Sequence, residues 1–219
     1  MRFPAGLFAA ALAQALPLVA ASMRWGRPVP APARWVLGWC GLLVLTDVLS
    51  IAVAFGPGAN LWLQYGAVPL GSALILWGLS HWQLNALPRL AYRLAIPVLV
   101  AATVVALLLL HPEPMFDQVV APFHALVLLV ASLHTLLDRA LRTADSISRE
   151  PWFWIGLGLS LYFAASVAIG PFAQALLASN VDWVRQAYVA RAWTSVLAFA
   201  LITTGILCPH FRPPSGGHS

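Results

Sequence analysis

The sequence predicts an all-α fold, an integral membrane bundle of seven transmembrane helices with its amino terminus outside and its carboxyl terminus cytoplasmic. Three observations carry that prediction. Apolar residues make up 61% of the 219 and charged residues only 9%, which is too little polar surface to cover a soluble core. Seven apolar runs each come close to the roughly 20 residues that a spanning helix requires. Short links rich in proline or glycine, among them GRPVPAPAR, GPGAN and HPEP, separate those runs.

The first run, residues 3–23, has an early Arg2 and ends in the small-residue stretch LVAAS, so it also has the outline of a signal peptide. Its removal would reverse every later link and place nine arginines on the outer face, so a retained helix is expected. Gln14, well inside it, reads as hydrogen-bonding glue between helices, and Gly6 with Ala10 and Ala9 with Ala13 offer small-residue contacts four apart. The second run, 34–55, carries Asp47 with Ser50 three residues on. The third, 60–79, contributes Gln64, Tyr65 and Ser72. The fourth, 90–110, is almost wholly apolar, and the fifth, 116–137, contains His124.

The sixth run, 152–177, holds Tyr162 and Ser166, with Gly156 and Ser160 as a further small pair. The seventh, 184–208, places Tyr188, Arg191, Thr194 and Ser195 along one stripe, because residues three and four apart share a helix face. Pro17, Pro69, Pro97, Pro122 and Pro171 fall inside five of the runs, where each removes a backbone donor and frees a carbonyl. The stretch PHFRPPSGGHS is too rich in proline and glycine to fold. The expected organisation is therefore a transmembrane domain over 1–208 and a disordered cytoplasmic tail over 209–219.

Arginine distribution sets the expected orientation. Arg24, Arg27, Arg34, Arg89, Arg93, Arg139, Arg142, Arg149 and Arg212 fall on one side of the runs, against Arg2, Arg185 and Arg191 on the other. Trp25, Trp35, Trp82 and Trp152 would mark the inner interface, and Trp62 and Trp183 the outer one.

Several chemistries are argued against by the same residues. The arginines are scattered rather than striped, so nucleic-acid binding is not expected. No lysine is present, which removes a retinal Schiff base. A haem between helices needs two histidines at one depth, and His124 has only His111 for company. Zinc hydrolysis would want about three converging ligands, whereas Glu113 and Asp117 lie in an exposed link. No spacing joins Ser50 or Ser195 to His124 as a nucleophile and base. Cys40 and Cys208 are far apart and read as small apolar fillers, and His134 with Asp138 reads as a solvated pair at i+4. No cofactor, metal or catalytic residue is expected.

What remains is a polar set at one depth. Asp47 lies eight residues before the end of its run, about 12 Å in, and Arg191 seven residues into its own, about 10 Å from the same side. His124 falls at a similar level. A carboxylate or guanidinium near a helix centre costs about 2.5–3.5 kcal/mol on insertion scales, so such groups face the bundle interior. One outward-facing ligand-binding pocket is expected from Asp47, Ser50, Gln64, Tyr65, His124, Tyr162, Ser166, Tyr188, Arg191, Thr194 and Ser195. The bland alternative is a structural Asp47–Arg191 ion pair that orders the helices.

The segments NLWLQYGAVPLGS and PWFWIGLGLSLYFAAS resemble the third and sixth spans of uncharacterised bacterial seven-helix membrane proteins, some joined to histidine-kinase modules. Relatives of that kind carry an acidic residue near the position of Gly71, which this chain lacks. The resemblance implies a bacterial inner-membrane location and a sensor input module, with a small ligand outside, lipids around and a cytoplasmic signalling partner. The arginine-bearing link DRALRTADSISRE is the expected partner contact, with topology-setting charge as the alternative. A second likeness lies within the chain. RWVLGWCGLLVL and PWFWIGLGLSLY match at an offset of 117, and Tyr65, Ala67 and Ser72 match Tyr188, Ala190 and Ser195 at 123. Three helices, a linker helix and three more would be similar to the sugar-transporting family of paired triple-helix bundles, though the Pro-Gln motif of that superfamily is absent. A small-solute transporter is therefore the alternative function, and a structural subunit of a membrane complex the third.

Overall fold

A computed structural model describes residues 5–24, 29–54, 61–109, 119–143, 146–177 and 181–208, and all regular structure among them is helical. Seven α-helices follow in chain order: α1 (Ala5–Met23), α2 (Ala31–Ala54), α3 (Leu61–Trp82), α4 (Ala86–Leu109), α5 (Ala121–Arg142), α6 (Pro151–Leu177) and α7 (Val181–Leu207). A short 3-10 turn, Ile147–Arg149, precedes α6. The expected tail at 209–219 lies outside the described residues, as do His111, Glu113, Asp117 and Trp25 and the side chains of Trp62, Trp183 and Pro171.

Helix starts differ from the apolar runs for a definite reason. α2 and α4 begin about a turn before the hydrophobic stretch does, with Pro32 and Pro88 in their first turns, and α6 starts on Pro151. First-turn N–H groups have no partner inside the helix, so proline costs nothing there and its fixed φ favours the start. Pro122 likewise opens α5 and does not interrupt it, which corrects the expectation drawn from its place inside an apolar run. Pro17, Pro69 and Pro97 do lie inside α1, α3 and α4.

Five of the helices, α2, α4, α5, α6 and α7, are long and apolar enough to cross a membrane, counted over the described residues. Their surfaces support the same conclusion. On α5 the buried positions are His124, Ala125, Leu128, Ala131, Ser132 and Thr135, whereas Phe123, Leu126, Val130, Leu133, Leu137 and Leu141 are exposed. On α4 the buried pair is Leu99 and Thr103, and Leu87, Leu94, Val98, Leu108 and Leu109 face outward. Hydroxyls and an imidazole among the buried residues, with a perimeter of large aliphatics, depart from the polar outer face of a water-soluble helix. Hydrocarbon is the solvent that such a perimeter suits.

Neighbour contacts run α1–α2–α3–α5–α6–α7 and back to α1, a ring of six, with α4 set against the outside of α3. Backbone approach fixes the tightest seam. A Cβ at Gly158 would stand 2.6 Å from the Ala198 carbonyl oxygen, and one at Gly205 2.9 Å from that of Pro151, so α6 and α7 touch main chain to main chain. A Cβ at Gly156 would stand 2.8 Å from the Leu136 side chain of α5, so this small residue lets α5 come close to α6.

The end of the bundle where α2, α4 and α6 begin is filled with side chains, and many of its polar groups are bonded, although Gln83 Oε1 and Asp138 Oδ2 are buried there without a hydrogen-bond partner among the described residues. Ile75, Leu76, Leu79, Ile155, Leu159, Ile202 and Ile206 are all buried there. Arginines take up carbonyls that helix ends leave free: Arg139 Nε donates to Trp82 O at 2.7 Å, Arg24 Nη1 to Ile206 O at 2.6 Å, and Arg89 Nη2 to Gln83 O at 2.8 Å. Gln83 Nε2 donates to Thr135 Oγ1 at 2.8 Å, and Tyr92 OH donates to Ala131 O at 2.9 Å, which ties α3 and α4 to α5.

Two expectations change at this end. His134 meets Tyr92 OH through Nδ1 at 2.9 Å, and Asp138 pairs with Arg142 at 2.8 Å, so the expected His134–Asp138 pair gives way to a partner from α4 and a partner one turn on. Trp82 and Trp152 pack inside, at 6% and 5% exposure, whereas Trp35 and Trp77 stay at the surface and Trp77 carries Arg93 over its ring at 4.8 Å. Cys40 is buried, as a filler would be, and Cys208 Sγ donates to Arg149 O at 3.3 Å.

Candidate functional site

A cavity of about 630 Å³ occupies the other half of the bundle, where α2, α4 and α6 finish and α3, α5 and α7 begin. That volume falls inside the usual range for small-molecule sites, about 300–1,000 Å³. Depth within it follows from exposure. Gln64 and Tyr188, both exposed, stand at the mouth, and the buried Trp39, Ser72 and His124 form the floor.

Six helices supply the walls. Asp47 and Thr46 come from the last third of α2, Gln14 from the middle of α1, and Arg191 and Tyr188 from the first half of α7. Tyr162, Phe163 and Ser166 come from α6. Gln64, Ala67, Val68, Gly71 and Ser72 line it from α3, with Pro122, His124 and Leu128 from α5. Seven of the eleven residues expected to share a pocket therefore do: Asp47, Gln64, His124, Tyr162, Ser166, Tyr188 and Arg191.

Ser50, Tyr65, Thr194 and Ser195 are not among the lining residues. Thr194 Oγ1 donates to Ala190 O at 2.9 Å and Ser195 Oγ to Arg191 O at 3.0 Å. Their hydroxyls are turned back onto their own helix, as Ser and Thr commonly are in apolar surroundings. One stripe on a helix is wider than one cavity. Ser166, which does line the wall, donates to Tyr162 O at 2.9 Å in the same way.

The floor is aromatic. Trp39 packs edge-on against Tyr162 with centroids 5.1 Å apart, and lies near Phe163 at 5.7 Å and Phe199 at 5.8 Å. Gly71 makes room for it, since a Cβ there would meet the indole at 3.1 Å. Sequence reading missed Trp39 because an indole inside an apolar run carries no signal of which neighbours surround it.

His124 closes one side. Its Nδ1 meets Ser72 Oγ at 2.8 Å and its Nε2 meets Thr103 Oγ1 at 2.9 Å, while those hydroxyls also reach Val68 O and Leu99 O, each at 2.9 Å. Each hydroxyl has one proton to give, and a neutral imidazole has one N–H. One hydroxyl therefore keeps its backbone bond and accepts from the ring, and the other turns its proton to the bare nitrogen. The imidazole thereby links α3, α4 and α5, and neither nitrogen is spare for a metal. Among the described residues no group of three or more His, Cys, Asp or Glu side chains is placed to hold one.

Asp47 and Arg191 share the cavity without forming a direct ion pair among the described residues. The polar neighbour of Asp47 is the Gln14 side-chain amide. Tyr162 lies in the fields of both charges, with its hydroxyl towards the Arg191 guanidinium. Gln14 Oε1 is buried with no hydrogen-bond partner. Gln14, expected as hydrogen-bonding glue between helices, does reach from α1 to Asp47 of α2, and it lines the cavity as well, which its place in a small-residue helix does not announce. A shallower hollow of about 490 Å³ lies on α7 against Arg185, Gln186, Val189 and Ala190.

No protein-family model, no curated protein and no solved structure matches the chain.

Proposed function

We propose that the protein is a seven-span membrane bundle, amino terminus outside, whose cavity opens outward and binds a small ligand as the input of a sensor. The observation that carries this reading is a cavity confined to one half of the molecule, lined by an acid, a base and several neutral polar groups. Beneath it stand Trp39, Phe163 and Phe199 and then the buried aliphatics of α3, α6 and α7. A cavity with a packed floor suits binding from one side. The arginine-rich end is then cytoplasmic, by the excess of basic residues there. In such a sensor a ligand acts only through a difference in affinity between two packings of the helices around it. The cytoplasmic partner would meet the α5–α6 link at that end.

The runner-up is a transporter of the three-one-three type. It is favoured by the ring of six with α4 outside it, and by matched hydroxyls: Ser72 Oγ bonds Val68 O as Ser195 Oγ bonds Arg191 O, both pairs related by the offset of 123. A structural subunit of a larger complex is the third reading, and it needs no cavity.

Access and flux tell them apart. With Cys208→Ser as background, an Ala67→Cys variant should react in intact cells with a membrane-impermeant cationic thiol reagent added outside. Absence of labelling there would remove the outward-open cavity. In proteoliposomes, saturable binding without accumulation supports a sensor, and accumulation of the bound solute would make the protein a transporter.

A further inference from the structure

We infer that the ligand carries a primary ammonium and an anionic oxo group on one molecule, held respectively by Asp47 with Gln14 and by Arg191. The inference rests on the cavity being a ligand site. Three features of the cavity point to that chemistry. Asp47 belongs to α2 and Arg191 to α7, and α1 packs between those two helices and contributes Gln14. The acid and the base face one space from different walls and do not neutralise each other by contact.

Formal charge among the lining residues is one negative and one positive, Asp47 and Arg191. A lone cation or a lone anion would leave one wall unmatched, and a neutral sugar would leave both. A molecule with both charges satisfies each in place. An ammonium has three donors to distribute. Asp47 accepts one, and the buried, unpartnered Gln14 Oε1 is an acceptor with nothing else to do. The guanidinium of Arg191 presents the planar fork that matches a carboxylate or phosphate.

The aromatic floor of Trp39, Tyr162 and Phe163 then receives the apolar body of the molecule. Two sources supply this pair of groups, a free α-amino acid and a phosphoethanolamine headgroup. Phosphatidylcholine does not, since its quaternary nitrogen has no N–H to donate.

The test uses the full chain in phosphatidylcholine nanodiscs, with Ala67→Cys labelling as the readout of occupancy. L-alanine, L-leucine and L-phenylalanine are each added unblocked, as the N-acetyl derivative and as the amide, beside glycerophosphoethanolamine. Protection from labelling by an unblocked amino acid, weakened at least about tenfold by blocking either end, supports the inference with an amino acid as source; tenfold corresponds to about 1.4 kcal/mol. Protection by glycerophosphoethanolamine alone supports it with the headgroup as source. Asp47→Asn and Arg191→Gln should each weaken protection by a similar factor. The blocked series is read with both charges intact, so it decides even where those variants fail to fold. Equal protection by a blocked derivative overturns the inference, as does labelling that none of these zwitterions slows. Failure of the cysteine to label at all would instead refute the cavity reading beneath it.

Discussion

Where α2, α4 and α6 begin, the arginines Arg24, Arg89 and Arg139 each donate to a main-chain carbonyl at 2.6–2.8 Å, and Gln83, Tyr92 and Thr135 bond across three helices. Where those helices end, Asp47 and Arg191 line one cavity without touching. Charges in one half are thus bonded to main-chain carbonyls, whereas in the other they line an open cavity, with the Gln14 amide beside Asp47 and the Tyr162 hydroxyl beside Arg191. Buried polar groups are normally bonded, and an exception calls for a reason. Such exceptions occur in both halves, Gln14 Oε1 at the cavity and Gln83 Oε1 and Asp138 Oδ2 at the packed end, so what sets the cavity half apart is its open space.

Tight backbone approach should give the largest effect. Gly158→Ala and Gly205→Ala place a methyl group against main-chain atoms at 2.6–2.9 Å and should each cost about 1–3 kcal/mol, read as loss of monodisperse protein on heating in detergent. Gly66→Ala, in the cavity half with nothing within 4 Å, should stay within about 1 kcal/mol of the parent. Equal tolerance at Gly158 and Gly66 would erase the distinction between a packed and an open half.

Next in size is Thr135→Val, which removes the hydroxyl between Gln83 and Tyr92 and should cost about 1 kcal/mol by the same heating assay. Smallest are the charges themselves. Without ligand, Asp47→Asn and Arg191→Gln should each change stability by less than about 1 kcal/mol, and the double variant should equal their sum within about 0.5 kcal/mol. A coupling well above that figure in a double-mutant cycle would show a structural ion pair and sink the contrast.

Some of the site was legible in the order of residues alone. Asp47, His124 and Arg191 are polar residues inside apolar runs at similar distances from their ends, and helix rise converts such distances into depth. Depth is shared by a whole ring of side chains, however, and rotation about each helix axis selects which of them meet. Thr194 and Ser195 have the right level and turn their hydroxyls to their own backbone. Asp138 has His134 at i−4 and Arg142 at i+4, and it pairs with the arginine while His134 Nδ1 meets Tyr92 of another helix.

Composition and hydropathy suffice for an all-helical chain with apolar helices of bilayer-spanning length, because each helix is settled within a few turns of one chain segment. Tertiary packing alone chose the ring order with α4 outside, the arginines that cap other helices' carbonyls, and the pairing of Gln14 with Asp47 across from Arg191. Those outcomes depend on which faces of separate helices come together, and a side chain's partner from a distant helix leaves no mark in its local sequence.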